Sequence, residues 1–401
     1  MEPHPYDRIT SDELRRGGSL KWTGYPDMIG AWVAEMDFGT APGVADAAAE
    51  TVRSGLLGYA PPRLVRSLQE ATAAWLAARH GWVVDAAQVR PLPTVMTGLE
   101  AAILHFSPTH RPDAPVVLLT PAYMPFLDAP GRFGRRTIHV DMVQSDSTWD
   151  IDWPALEEAL AGGALLVLVN PHNPIGKVYS RAELERISTL VDATGSRVYA
   201  DEVHSPLVFG GALHIPYATV NDASSAHSVT GISASKAFNL PGLKCAQLVL
   251  TNDVDRLLWG AIGGAVENGA ANVGLAATAA AYDGGASWLG GVVDYLDGNR
   301  KLLGNLIHKH LPAARYIEPE ATYLAWVDVS RLRLGRNPAR FFRHQAGVAT
   351  VRGTDCGESG RGYVRLNFAT PRPVLEAMVH RMGAAVDGCD INDSGDIDDY
   401  L

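Results

Sequence analysis

From about residue 97 the chain alternates short apolar runs with longer stretches whose apolar positions recur at helical spacing. This is the pattern of βα units laid around a mainly parallel sheet. Runs at 116–119, 137–140, 165–169, 198–200, 228–232 and 248–250 read as strands, because each stops near a turn former or a polar residue. Helices fill the gaps. Ser180-Arg181-Ala182-Glu183 has the form of a capping box ahead of Leu184, Ile187 and Leu190, and Thr97-Gly98-Leu99-Glu100 has the same form ahead of 101–106. After about residue 285 the pattern changes. A long helical periodicity from Trp288 through Tyr295 to Leu306 leads into strand-like 323–327 and 363–368, and the Gly- and Ala-rich stretch 260–285 predicts tightly packed helices rather than low complexity.

Length and composition give these elements a frame. A chain of 401 residues exceeds the size at which single cores usually stop growing, so a large domain with a smaller companion is expected. The predicted division is an N-terminal arm over 1–40 that contributes to the small domain, a large domain over 41–285, a small α+β domain over 286–386, and an acidic tail over 387–401. Asp387, Asp390, Asp393, Asp396, Asp398 and Asp399 crowd that tail, which reads as solvated and disordered. The formal charge of -10 argues against nucleic acid as a partner. No apolar run approaches the ~20 residues that span a bilayer, and the first residues lack a basic and apolar leader, so a soluble, cytoplasmic protein is expected. Cys245, Cys356 and Cys389 are too scattered for a disulfide scaffold or a metal knuckle, and no metal site is expected.

Inspection removes several chemistries. No G-x-G-x-x-G follows the first strand, Gly176-Lys177 lacks the glycine of a P-loop, and neither H-E-x-x-H nor G-x-S-x-G occurs. What remains is a set of polar residues at the carboxyl ends of successive strands, where open α/β sheets place ligands. Asn170-Pro171-His172-Asn173-Pro174 follows one strand, Asp201-Glu202-Val203-His204 the next, and Ser233-Ala234-Ser235-Lys236 the next. An amide, a carboxylate and an amine thus converge. A lysine placed among Ser, Ala and Phe is hard to keep charged, so its pKa falls and its amine becomes nucleophilic enough to form a Schiff base. A carboxylate one strand away then suits the ring nitrogen of an electron-sink cofactor.

These residues resemble the fold-type I pyridoxal-phosphate (PLP) enzymes of the aspartate aminotransferase superfamily, over nearly the whole chain. Trp32-Val33-Ala34-Glu35-Met36-Asp37-Phe38, Gly58-Tyr59, Thr120-Pro121-Ala122-Tyr123 and the three motifs above are most similar to the bacterial cystathionine β-lyase, or C–S lyase, type. The resemblance implies an α/β fold with a mainly parallel sheet of seven-stranded type between helices, a smaller α+β domain built from both termini, and pyridoxal 5'-phosphate as cofactor. It implies that Lys236 is the Schiff-base lysine and moves the Cα proton, that Asp201 pairs with the pyridine nitrogen, that Asn173 donates to the phenolic oxygen, and that Tyr123 stacks on the ring. Phosphate contacts fall to the Val95 and Met96 amides, Ser233, Ser235 and Lys244. Many relatives carry an arginine at the position of Lys244, and lysine offers a point charge where arginine offers a fork. Tyr59 matches a tyrosine that reaches the phosphate of a neighbouring subunit, which implies a homodimer with a shared active site. Arg365 matches the arginine that binds the substrate α-carboxylate, with Ala34 and Tyr123 beside the substrate. His204, where many aminotransferases carry tyrosine, is read as a cofactor or orienting contact, and His172 as structural.

The expected reaction is β-elimination from cystathionine, cysteine or another S-substituted cysteine, giving thiol, pyruvate and ammonia. Two alternatives stay open on the same residues: transamination, and decarboxylation coupled to oxidative deamination. The arm at 32–38 and His204 tilt the reading to the lyase.

Overall fold

The computed structural model describes residues 4–389. Its first strand, β1 (Ile29–Gly30), belongs to the N-terminal arm. Then come β2 (Val89–Leu92), β3 (Val116–Thr120), β4 (Thr137–Gln144), β5 (Trp149–Ile151), β6 (Leu165–Val169), β7 (Arg197–Asp201), β8 (Ser228–Ile232) and β9 (Ala246–Leu250). These last eight form one sheet in the order β2-β9-β8-β7-β6-β3-β4-β5. Strands β4, β3, β6, β7 and β8 run parallel to one another, while β9 is antiparallel to both β8 and β2. Every residue of β3, β6, β8 and β9 is buried, as expected of strands covered by helices on both faces.

The sheet has one strand more than the seven-stranded type expected. The addition is β5, a three-residue edge strand antiparallel to β4, too short for a periodic signal. The opposite edge, β2, is equally quiet in the sequence because it contains Pro91, which an edge strand tolerates. One helix start also differs from expectation. The helix Val95–His105 is capped by Thr94, whose Oγ1 accepts from the Thr97 amide at 3.2 Å, so Thr97 lies inside the first turn and Thr97 to Glu100 is not a capping box. The helix Arg181–Thr194 does begin with the capping box of Ser180 and Glu183. The stretch 260–285 carries the end of one helix, Asp253–Glu267, and a second, Asn272–Gly284.

A second sheet combines β10 (Arg315–Tyr316), β11 (Leu324–Asp328), β13 (Val351–Arg352) and β14 (Tyr363–Asn367), in the antiparallel order β10-β11-β14-β13. Between β11 and β13 lies β12 (Val348–Ala349), which pairs in parallel with β1 and ties the arm to this part of the chain. The long helix Ala286–His310 precedes this sheet and the helix Arg372–Asp387 follows it. The tail assigned to 387–401 begins where that helix ends, and residues 390–401 lie outside the described residues. Among the described residues no helix is long and apolar enough to cross a membrane, and all three cysteines are free.

The arm past β1 is held by buried polar bonds rather than by a sheet. Lys21, fully buried, donates to Asp37 at 2.8 Å and to the Ala369 carbonyl at 3.0 Å, and the Trp22 indole donates to the other Asp37 oxygen at 2.9 Å. Asn367 Nδ2 donates to the Val33 and Glu35 carbonyls at 2.7 Å each. Removing one partner of a buried ion pair leaves the other charge uncompensated, so Lys21→Met is expected to lose about 3–5 kcal/mol. Thermal unfolding of the variant checks this; a Tm equal to that of the parent would contradict it.

Candidate active site

A cavity of about 240 Å³ opens at the carboxyl ends of β3, β6, β7 and β8, and the arm and β14 close it. Its wall includes Trp32, Ala34, Val95, Met96, Tyr123, Met124, Asn173, Asp201, His204, Ser233, Ser235, Lys236 and Arg365. Segments from the whole length of the chain therefore meet here. The short apolar strands stop where the polar motifs begin, so each motif emerges at the same edge of the sheet.

Lys236 Nζ donates to the Ala34 carbonyl at 3.1 Å. Burial, aided by the positive charge of Arg365, lowers its pKa to about 8 against the opposing pull of Glu35 and Asp201. The amine is therefore partly unprotonated near neutral pH. Asp201 closes β7; burial raises its carboxyl to about 7, although it accepts from the Val203 amide at 3.0 Å and lies near Lys236. His204 is buried, and its pKa falls to about 3 through burial and the charges of Lys236 and Arg365. It is a neutral imidazole. Burial also raises Tyr123, whose ring meets Phe126 edge-on at 5.3 Å.

Arg365, buried in β14, donates to the Trp32 carbonyl at 3.0 Å and to Asn173 Oδ1 at 3.2 Å. Because Oδ1 is taken by the guanidinium, Asn173 has its amide Nδ2 left to donate to a ligand. Ser233 Oγ donates to the Cys245 carbonyl at 2.8 Å and accepts from the Ser235 amide at 3.0 Å, which fixes the turn before Lys236. Val95 and Met96 open their helix, so their amides lack acceptors within it. Behind them, the Tyr199 hydroxyl donates to the Val95 carbonyl at 2.5 Å.

Two residues assigned to the site from sequence lie elsewhere in the single chain. Lys244 is exposed, at φ 52° after a short turn, and its carbonyl accepts from the Ala271 amide at 3.2 Å. Tyr59 is 95% exposed, beside a groove formed by 56–60 and 268–273. His172, read as structural, has both ring nitrogens engaged, with the Tyr179 hydroxyl at 2.7 Å and the Pro121 carbonyl at 2.8 Å. Sequence reasoning missed Tyr323, whose hydroxyl donates to the Ala34 carbonyl at 2.9 Å. Nothing in an apolar strand-like run marked it.

A family model described as aminotransferase class I and II matches residues 26–382. The chain belongs to that family. Within it, a putative cystathionine beta-lyase of Mycobacterium leprae is 33% identical, covering 96% of this chain and 99% of its own length. The cystathionine beta-lyase of Corynebacterium glutamicum is 31% identical over 94% of this chain and 98% of its own. Among solved structures, a putative PLP-dependent beta-cystathionase of Corynebacterium diphtheriae has a TM-score of 0.89 at 36% identity, covering 94% of this chain and 98% of that one. The fold is the fold-type I arrangement.

The donor set of the cavity fits the cofactor of that fold. His204 Nδ1 and Arg365 Nε are buried without a hydrogen-bond partner among the described residues, and both line or border the same space as a lysine amine, a carboxylate and the start of a helix. An aldehyde, a ring nitrogen and a phosphate each find a matching group. Among the described residues no cluster of three or more His, Cys, Asp or Glu is arranged to hold a metal.

Proposed function

We propose that this chain is a pyridoxal-phosphate-dependent C–S β-lyase acting on an S-substituted cysteine, with cystathionine and cysteine in the substrate class. The convergence, in one cavity, of the Lys236 amine, the Asp201 carboxylate and the Arg365 guanidinium supports the cofactor. The observation that carries the lyase reading is the likeness to the cystathionine beta-lyase of Corynebacterium glutamicum over 94% of the chain. The cofactor, when bound, supplies an aldehyde that bonds an amine and a ring that draws electrons from the adjoining carbon.

Lys236 would hold the aldehyde carbon until the substrate amine displaces it, and Asp201 would keep the ring nitrogen protonated. Asn173 Nδ2 would donate to the phenolic oxygen, Tyr123 would cover the ring, and His204, as a neutral imidazole, would orient it. The Val95 and Met96 amides, with Ser233 and Ser235, would take the phosphate. Arg365 binds the substrate carboxylate through its unpartnered Nε and the rest of the fork, beside Ala34 and Tyr123. With the substrate amine in the place Lys236 held, the freed Lys236 would take the proton from Cα; in the cofactor-free chain burial lowers its pKa to about 8. The Cβ–S bond then breaks, sulfur leaves as thiolate and takes up a proton, and water completes the conversion to pyruvate and ammonia.

Among the described residues around the cavity Arg365 is the one guanidinium, so a single carboxylate of the substrate, the one beside the reacting carbon, finds a fork there. The reading includes a homodimer in which Tyr59 of one copy completes the phosphate site of the other. Its support is that Leu57 and Tyr59 are exposed together at the groove formed by 56–60 and 268–273.

The test is to load the protein with cofactor and supply cystathionine and simple S-alkyl cysteines. Equal amounts of thiol and pyruvate are expected, with no requirement for an added keto acid. Turnover only with a keto acid, or oxygen uptake with an aldehyde product, would instead identify the transamination or oxidative route.

A further inference from the structure

The Ala34 carbonyl is the meeting point of three separate segments. It accepts from Lys236 Nζ at 3.1 Å and from the Tyr323 hydroxyl at 2.9 Å, and a carbonyl oxygen has two lone pairs for the two donors. We propose that Tyr323 is a positioning residue for Lys236: its hydroxyl fixes the Ala34 carbonyl as the docking point to which the lysine nitrogen returns whenever it is free. The inference rests on Lys236 being the lysine that bonds the cofactor and moves the proton.

The placement of Tyr323 is specified from both sides. Thr322, immediately before it, is fully buried at φ 72°, in the left-handed region that a β-branched residue seldom adopts. It stays there because its amide donates to the Leu207 carbonyl at 2.8 Å and its Oγ1 accepts from the Leu324 amide at 3.1 Å. Tyr323 itself is fully buried, and its carbonyl accepts from the Phe368 amide at 2.9 Å. Its ring meets His204 edge-on at 6.0 Å. Strain of this kind persists only where the surroundings hold it, so the position of Tyr323 is fixed by the packing around Thr322.

The chemistry explains why the hydroxyl is needed. When the lysine nitrogen is engaged elsewhere, Ala34 loses one donor, and a half-buried carbonyl turned into the cavity wall without any donor is costly. Tyr323 supplies the second donor, so the arm keeps its position and the lysine can leave and return. Burial raises the phenol far above its ordinary pKa, so it remains a donor throughout. It also divides the acceptor strength of the carbonyl. With Tyr323 removed, Ala34 accepts more strongly from the lysine ammonium, and the charged form is favoured. The other groups facing Lys236 are Arg365, Glu35, Asp201 and His204, and none of them changes in the variant.

The test reads the amine itself. Competitive acetylation of the cofactor-free chain across pH, followed by mass spectrometry of the peptide carrying Lys236, gives its midpoint. Tyr323→Phe is expected to raise that midpoint by about half a pH unit. In the loaded enzyme it is expected to lower kcat about tenfold with KM within about twofold, and to move the acid limb of kcat upward with the amine. Tyr282→Phe, which removes a buried hydroxyl bonded to Gln247 at 3.2 Å, is expected to leave the midpoint unchanged. Should Tyr323→Phe not fold, 3-fluorotyrosine in place of Tyr323 is isosteric and a stronger donor, and is expected to move the midpoint down. An unmoved midpoint in either folded variant, or an equal shift in Tyr282→Phe, overturns the assignment. A chain that never takes up the cofactor counts against the proposed function and leaves the acetylation result to judge Tyr323 by itself.

Discussion

Lys236→Ala is expected to abolish attachment of the cofactor to the chain and to slow release of thiol and pyruvate by about 10²–10⁴-fold or more, the range for loss of a positioned acid or base. Borohydride treatment of the loaded parent should leave a reduced cofactor group on the peptide containing position 236, and the variant should carry none. The alternatives among nearby buried amines are limited by geometry. Lys21 is committed to Asp37 at 2.8 Å, and Lys177 to Glu183 at 3.0 Å. Lys236 instead spends its hydrogen bond on a neutral carbonyl and has its pKa lowered to about 8 by burial. Label found on Lys244 or another lysine in the parent would remove the basis of the site assignment.

The second large effect is a reversal of sign at Asp201. In the cofactor-free chain burial holds this carboxyl at about 7, above its usual value near 3.9. A group raised on folding takes up a proton as the chain folds. Its stabilising contribution is therefore complete below the unfolded value and is lost as pH rises through about 7. At pH 8 the cofactor-free parent carries a buried, poorly compensated carboxylate. That burden amounts to a few kcal/mol, since a tenfold change in proton affinity between the unfolded and folded chain corresponds to about 1.4 kcal/mol. Asp201→Asn is then expected to raise Tm at pH 8 and to raise it about a third as much at pH 5, which lies roughly one unit above the unfolded value. With the cofactor loaded the order should invert. The carboxylate gains its cationic ring partner, and the asparagine variant should fall behind in cofactor affinity and lose about 10²-fold or more in turnover, as expected when an electrostatic stabiliser of the reacting charge is removed. Calorimetry with and without cofactor at both pH values checks all of this, and a variant less stable than the parent in the cofactor-free state at pH 8 would refute the account of Asp201.

The buried histidines oppose Asp201 in the acid range. His204 falls to about 3 and His172 to about 4, each through burial first. Groups depressed on folding contribute stability that is present above their unfolded value near 6.5 and lost as pH falls toward the folded one. The pH 5 comparison is therefore made between parent and variant, where this common loss cancels.

Much of the site was legible in the chain because its chemistry is local to strand ends. Leu165–Val169, Arg197–Asp201 and Ser228–Ile232 are short and largely apolar, and Asn173, Asp201 and Lys236 stand at or just beyond their ends, so periodicity placed the strands and the polar residues marked their carboxyl ends. Parallel βα topology then put the three side chains on one edge without any long-range information. The helix start at Thr94 was less legible. Two threonines three positions apart both resemble caps, and the hydrogen bond from the Thr97 amide to Thr94 decides between them. The edge strands Val89–Leu92 and Trp149–Ile151 left no periodic trace, one interrupted by Pro91 and the other only three residues long.

By itself, then, the order of apolar runs and polar motifs determined the class of fold, the sheet edge that carries the chemistry, and the amine, acid and amide placed there. The tertiary structure alone decided that the carbonyl of Trp32 meets the guanidinium of Arg365 at 3.0 Å, that Ala34 is shared by Lys236 and Tyr323, and that Tyr59 and Lys244 stand outside the cavity of their own chain. The reason is range. Side-chain periodicity reports which face of an element is buried, whereas contacts between residues some 300 positions apart depend on how the arm and the second sheet pack over the first.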